Sequence, residues 1–249
     1  MIYLKTSDDL KLMKKAGEIA AGALKAAENA IKPGVSTLYI DKVIYDYITL
    51  KGGIPSCLGY GGFPASSCIS INEEVIHGIP SKTKIIKDGD IVSVDITASY
   101  KGFHGDNTAT FAVGSVEERV LKLLEVTKNS LDEGIKKAVV GNRIGDISNA
   151  VQTYAESRGY SVVREYVGHG IGKNMHESPS VPNFGKPGHG HRLEAGMTIA
   201  IEPMINLGCK EIRVLDDGWT VVTADGEYSA HFEHTVAITE NGPIILTLI

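Results

Sequence analysis

The chain has 249 residues, 43% apolar and 22% charged, with a formal net charge of −5. That is enough for a large core in one or two domains. The mild acidity argues against bulk attraction to nucleic acid or to an anionic membrane, and no apolar run approaches the ~18 residues that span a bilayer. The amino-terminal stretch MIYLKTSDDLKLMKKAGEIA is charged and lacks the apolar centre of a signal peptide. A cytoplasmic protein is the expectation.

Thr6 and Asp9 form a capping-box pattern. Leu10, Met13, Ala16, Ala20, Ala23 and Ala27 then recur at helical spacing until Pro33-Gly34. A second helix carries Ile40, Val43, Ile44, Tyr47 and Ile48 on one face and stops at Gly52-Gly53. Turn-rich and strand-rich segments follow to about Val113. The pattern then restarts. Ser115-Val-Glu-Glu opens a helix with Val120, Leu123, Leu124 and Leu131, and Asp146 caps another that ends at Gly159. Strands return after Tyr160. Cys57, Cys68 and Cys209 are odd in number and fit neither C-x-x-C nor a zinc ribbon, so they read as reduced packing thiols.

The two halves share one plan. An offset of 107 pairs Gly34 with Gly141, Ile40 with Ile147, Tyr47 with Tyr154, Gly52 with Gly159 and Gly89 with Gly196. It also sets Asp95 on Glu202. A longer offset lays HGDNTA over HFEHTV and sets Asp106 on Glu233. The reading is one domain over 1–249, duplicated internally as halves of about 1–114 and 115–249.

In IVSVDITASYKGFHGDNTATFAV, Asp95 shares a face with Ser93 and Thr97, and Asp106 with Thr108 and Thr110. A turn near 100–105 makes a hairpin with the two aspartates close to opposite, where like charges repel. Glu202 ends an otherwise apolar strand, and alternation groups His231, Glu233 and Thr235. If a pseudo-twofold axis relates the halves, the four carboxylates converge. Two divalent cations then balance their charge; one leaves a negative surplus. Oxygen-rich ligands with one imidazole suit Mn, Fe(II), Co or Zn with open positions, and paired ions suit hydrolysis.

Of eight histidines, His104, His189, His191, His231 and His234 read as solvated or supporting. His77 and His169 share His-Gly-Ile, a glycine that permits close backbone approach, and His176 follows closely. One of these three is a metal ligand and two face substrate, but residue physics alone does not say which.

The segments CLGYGGFPASSCISINEEVIHGIP, DGDIVSVDI, GFHGD, SVVREYVGHGIG, MTIAIEPM and DGWTVVT with FEHT together resemble type I methionine aminopeptidases, metallopeptidases of the pita-bread fold. The likeness runs along nearly the whole chain. It implies an α+β fold of two pseudo-symmetric halves, each with two helices and antiparallel strands around a curved central sheet. It is nearest the short bacterial form, without an amino-terminal zinc-binding extension, and the span from His176 to Glu202 leaves no room for the large insertion of the type II enzymes.

The resemblance implies Asp95, Asp106, His169, Glu202 and Glu233 as ligands of two divalent ions, with Asp106 and Glu233 bridging. It implies His77 and His176 as substrate-facing histidines and Cys57, Tyr60, Phe63, Cys68, Met175 and Trp219 as the methionine pocket. Without it, Tyr60, Phe63 and Trp219 read as core packing. Phe63, Gly61 and Met175 depart from the tyrosine, histidine and phenylalanine often found at those positions.

The implied reaction is removal of the initiator methionine from nascent chains with a small second residue, by metal-activated water attack on the first peptide bond. His176 would stabilise the oxyanion, His77 would position substrate, and Glu202 would ligate metal and carry a proton. The implied setting is a monomer acting near the ribosome. The rivals are a proline-specific peptidase of the same fold, a non-enzymatic binding protein of that fold, and a single-metal structural site.

Overall fold

A computed structural model describes residues 2–248. Helices α1 (Ser7–Ala30) and α2 (Thr37–Leu50) open the chain, followed by β1 (Ile54–Pro55), a 3-10 turn at Tyr60–Gly62, β2 (Cys68–Ile71) and β3 (Glu74–Ile76). The hairpin β4 (Ile91–Tyr100) and β5 (Phe103–Ala112) completes the first half. The second half runs α3 (Glu118–Lys136), α4 (Ile144–Glu156), β6 (Ser161–Val162), β7 (Gly168–Gly170), β8 (Glu177–Val181), β9 (Thr198–Ile201) and β10 (Met204–Asn206). It ends with β11 (Ile212–Val214), β12 (Val221–Thr223), β13 (Ser229–His231), β14 (Glu233–Thr239) and β15 (Gly242–Ile245).

The main sheet runs β1-β4-β5-β14-β9-β7-β8, with β2 also paired to β4 and β15 to β14. Its four central strands read the same from either side: the strand of Asp95, the strand of Asp106, the strand of Glu233, then the strand leading to Glu202. Where β5 meets β14, the halves are stitched by side chains. Thr108 Oγ1 donates to Glu233 Oε2 at 2.7 Å, and the Asp106 amide donates to Thr235 Oγ1 at 2.9 Å. The paired glycines of the two halves keep the same backbone: φ is 89° and 93° at Gly34 and Gly141, 75° and 85° at Gly52 and Gly159, and 90° and 93° at Gly89 and Gly196.

The sheet's apolar face explains why the helices sit where they do. Val92, Val94 and Ile96 of β4 pack with Ile19, Ala23, Ile40 and Ile44 of α1 and α2. Ile199, Ile201, Val236 and Ile238 of β9 and β14 pack with Leu131, Ile135 and Ile147 of α3 and α4. Strand alternation sends Asp95, Thr97, Asp106 and Thr108 to the other face.

Three local readings shift. Thr6 and Asp9 do form a reciprocal capping box, but Ser115 does not open α3: the cap is Glu117, and the Ser115 amide is spent on Asp88 Oδ1 at 3.1 Å. Asp146 is not the cap of α4 but lies three residues past it, accepting the Arg143 amide at 2.7 Å. The β4–β5 turn is tighter than read, just Lys101-Gly102 with φ of 48° and 81°, and this sets Thr97 opposite Asp106 and Asp95 opposite Thr108. The aspartates are therefore diagonal neighbours on one face.

Helix α1 lies directly on β5 at Gly105, where an added Cβ would meet the Gly17 backbone. Gly105→Ala forces the two elements apart and should cost about 1–3 kcal/mol, read as a lower urea midpoint at unchanged slope; an unchanged midpoint would show the contact to be slack.

Candidate metal centre and substrate cavity

A cavity of about 210 Å³ lies on the polar face of the central strands. Asp95, Asp106, His169, Glu202 and Glu233 all line it. Asp106 and Glu233 are 5% and 2% exposed. Asp106, His169 and Glu233 each offer one ligand atom, and these atoms lie within 4.8 Å of one another. His169 Nε2 is 3.9 Å from Asp106 Oδ2 and 3.4 Å from Glu202 Oε1. Asp95 joins through register, level with Thr108 and next to Asp106 on the same face.

Such a cluster is poorly satisfied by protein alone. Asp106 Oδ1, Glu233 Oε1 and His231 Nε2 are buried without a hydrogen-bond partner, which is costly unless something else meets them. Burial first, then the charge of Asp106, pushes Asp95 up to about 8, and burial pushes Asp106 up to about 7. Burial and the neighbouring aspartates raise Glu202 and Glu233 well above the carboxylate range. A divalent cation favours the ionised form of all four and fills the orphaned valences, so these residues fit one.

The imidazole is prepared for the same role. His169 Nδ1 lies 2.8 Å from the Gly170 carbonyl oxygen, to which only a protonated nitrogen can donate. Nε2 is left with its lone pair facing the carboxylates, as a metal ligand requires. Burial, then the nearby His176, lowers the ring's pKa to about 4, keeping it neutral. Among the three histidines left open by sequence, geometry thus brings His169 to the carboxylates.

His77 and His176 line the same cavity. His77 takes φ of 58° although it is not glycine, a strained backbone of the kind that surroundings must enforce. Its ring stands edge-on to Tyr166 and Trp219, at centroid distances of 5.6 and 6.2 Å. The glycines after His77 and His169 do allow close approach: a Cβ on Gly78 would strike the Ile69 carbonyl, and one on Gly170 the Ser178 carbonyl. His176 is 4.2 Å from His169 between ring centroids. Its neighbour Glu177 is tied to Lys5 Nζ by an ion pair of 2.6 Å with both side chains 6% exposed.

Cys57, Tyr60, Phe63, Cys68, Met175 and Trp219 form the remaining wall. Phe63 meets Trp219 edge-on at 5.2 Å, and Cys57, Phe63, Cys68 and Met175 are buried. Together they make the apolar side of the cavity, facing the carboxylates.

Some neighbours escaped the sequence reading. Tyr166 carries no chemical signature of its own. Thr97 lies level with Asp106 and lines the cavity; its alternation with Asp95 was the available signal. Of the two readings of His231, the supporting one fits and the solvated one does not: it is 2% exposed with Nε2 3.8 Å from Glu202 Oε2. His104 and His234 make hydrogen bonds to Gly172 and Thr247 outside the cavity, and His189 and His191 are exposed.

The profile of metallopeptidase family M24 matches residues 11–240. The chain is 53% identical over 248 residues to the methionine aminopeptidase of Clostridium acetobutylicum, covering 100% of this chain and 99% of that protein. The crystal structure of the methionine aminopeptidase from Thermotoga maritima superposes with a TM-score of 0.99 at 46% identity, covering 100% of both chains. The prolidase from Pyrococcus furiosus has the same fold, with a TM-score of 0.79 at 24% identity, but this chain covers 65% of it.

The carboxylate pKa values set a pH dependence for the metal-free protein. Histidine ordinarily titrates at about 6.5, and burial lowers His77 and His169 further. Above about pH 7.5 the imidazoles are therefore largely neutral in both the folded and the unfolded chain. Asp95 is ionised throughout when unfolded, but in the native state it still holds part of its proton there and loses it as pH rises. The native state thus binds more protons than the unfolded one, and stability falls with rising pH. Thermal melts of chelator-treated protein should show a midpoint lower at about pH 8.5 than at about pH 7.5, with Mn²⁺ restoring it. A midpoint rising over that window would contradict the cluster.

Proposed function

The chain belongs to metallopeptidase family M24, and on that premise we propose that Asp95, Asp106, His169, Glu202 and Glu233 would together hold two divalent ions. The protein is a metal-dependent exopeptidase that removes the amino-terminal methionine from polypeptides. The observation that carries the site assignment is the convergence of four carboxylates and one neutral imidazole on the floor of a cavity with an apolar wall.

Divalent ions held there, whether Mn, Fe(II), Co or Zn, would supply polarisation of a scissile carbonyl and a water of near-neutral pKa. The chain's own residues do the rest. The wall from Cys57 to Trp219 takes the methionine side chain, with its shape set by Phe63 and Met175. His77, held by Tyr166 and Trp219, orients the peptide. His176 donates a hydrogen bond to the carbonyl oxygen as it gains negative charge. Glu202 accepts a proton from the attacking water and passes it to the leaving amine. Crowding beside the ligands favours a small second residue. The setting we propose is the cytoplasm, with a monomer meeting nascent chains near the ribosome; among the described residues no helix is long and apolar enough to cross a membrane.

Protein stripped of metal and reloaded with Mn²⁺, Fe²⁺ or Co²⁺ should release methionine from a Met-Gly-headed peptide and not cleave Met-Leu- or Gly-Pro-headed ones. Cleavage of the Gly-Pro peptide alone would favour the proline-specific reading, and inertness with every metal the binding-protein reading. Glu233→Ala should lose metal binding and activity together, by about 100-fold or more in kcat/KM. Normal metal content with full activity would remove Glu233 from the site.

A further inference from the structure

Tyr60 does more than border the cavity. Its phenol oxygen lies 2.7 Å from His176 Nδ1, joining positions 116 residues apart. The two rings are 5.2 Å apart between centroids, tilted by 46°. Tyr60 is 47% exposed, whereas Phe63 in the same wall is 4% exposed. Gly59, Gly61 and Gly62 around it take φ of 82°, 56° and 92°, so the backbone here follows a path that holds the ring out from the core. A Cβ on Gly61 would come 3.3 Å from Trp219. One short loop therefore touches the apolar wall at Trp219 and the histidine at His176.

We propose that Tyr60 is a positioning residue for His176: its hydroxyl donates to Nδ1, so that the neutral ring carries its proton on Nε2 and offers it to the substrate. A phenol is a far stronger acid than a neutral imidazole N–H, and an imidazole nitrogen is a better acceptor than a phenol oxygen, so donation runs from oxygen to nitrogen. The opposite tautomer leaves a lone pair on Nε2, which cannot stabilise a developing oxyanion. The same ring walls the methionine pocket, so seating of the side chain and aim of the proton donor are linked through one residue. The inference rests on the exopeptidase reading for the purpose of that donor, not for the hydrogen bond.

Tyr60→Phe keeps the ring, removes only the hydroxyl, and changes a half-exposed position. With Met-Gly-headed peptide and metal-loaded protein, kcat should fall about 10- to 100-fold while KM stays within about twofold. Separately, long-range ¹H–¹⁵N spectra of metal-free protein labelled at histidine, with His176→Gln assigning the signal, should show the Nε2–H tautomer in the parent and a mixture in Tyr60→Phe. Unchanged kcat in Tyr60→Phe, or an Nδ1–H tautomer in the parent, overturns the proposal. If the parent releases no methionine with any metal, the functional reading fails, and the tautomer alone still decides the hydrogen bond.

Discussion

Four carboxylates share one small space, and that repulsion governs the rest of the molecule. Among the described residues no arginine or lysine lines the cavity to offset them, and Lys5, a cationic end that does turn inward, is already paired with Glu177. Three buried polar atoms of the cluster and its neighbour His231 find no partner in the protein. A protein can tolerate such a centre in two ways, by protonating the acids or by admitting positive charge. Raised proton affinities are the first response, and cation binding converts the same stored repulsion into affinity.

The fold meets this demand by duplication. Each half supplies one carboxylate from an inner strand and one from an outer strand, and the halves meet at β5 and β14. Both helix pairs cover the apolar side of the sheet, so the polar side is left for chemistry. The second half adds what the first does not, His169 on β7 and His176 before β8, while the first adds the loop of Tyr60 and Phe63. Symmetry builds the ionic floor, and asymmetry builds the apolar wall beside it.

Much of this was legible in sequence because it is periodic. Helical spacing located all four helices, and strand alternation placed Asp95 and Asp106 on one face. The 107-residue offset joined Asp95 to Glu202 without any knowledge of the fold. What alternation lacks is register. The diagonal offset of the aspartates depends on a two-residue turn at Lys101-Gly102, and a longer turn would have suited the same pattern. The choice of His169 over His77 and His176 depends on which ring the fold carries to Asp106 and Glu202. Tyr60 and His176 meet across 116 residues with no shared motif, and the burial of His231 depends on which strand covers it. Ser115 illustrates the same limit at a helix end, since its amide answers to Asp88 in a distant turn.

The seam between β5 and β14 has a further consequence. Glu233 faces the cavity because it is level with Thr108. Sliding one strand by a single residue would invert its faces, turning Glu233 and Thr235 into the helix layer and pushing Val236 among the acids. A misaligned chain would thus strand a carboxylate in hydrocarbon and break the cluster of Asp106, His169 and Glu233 at once. The cluster in this architecture depends on strand register: only a correctly zipped pair of halves brings all four carboxylates and His169 into one cavity.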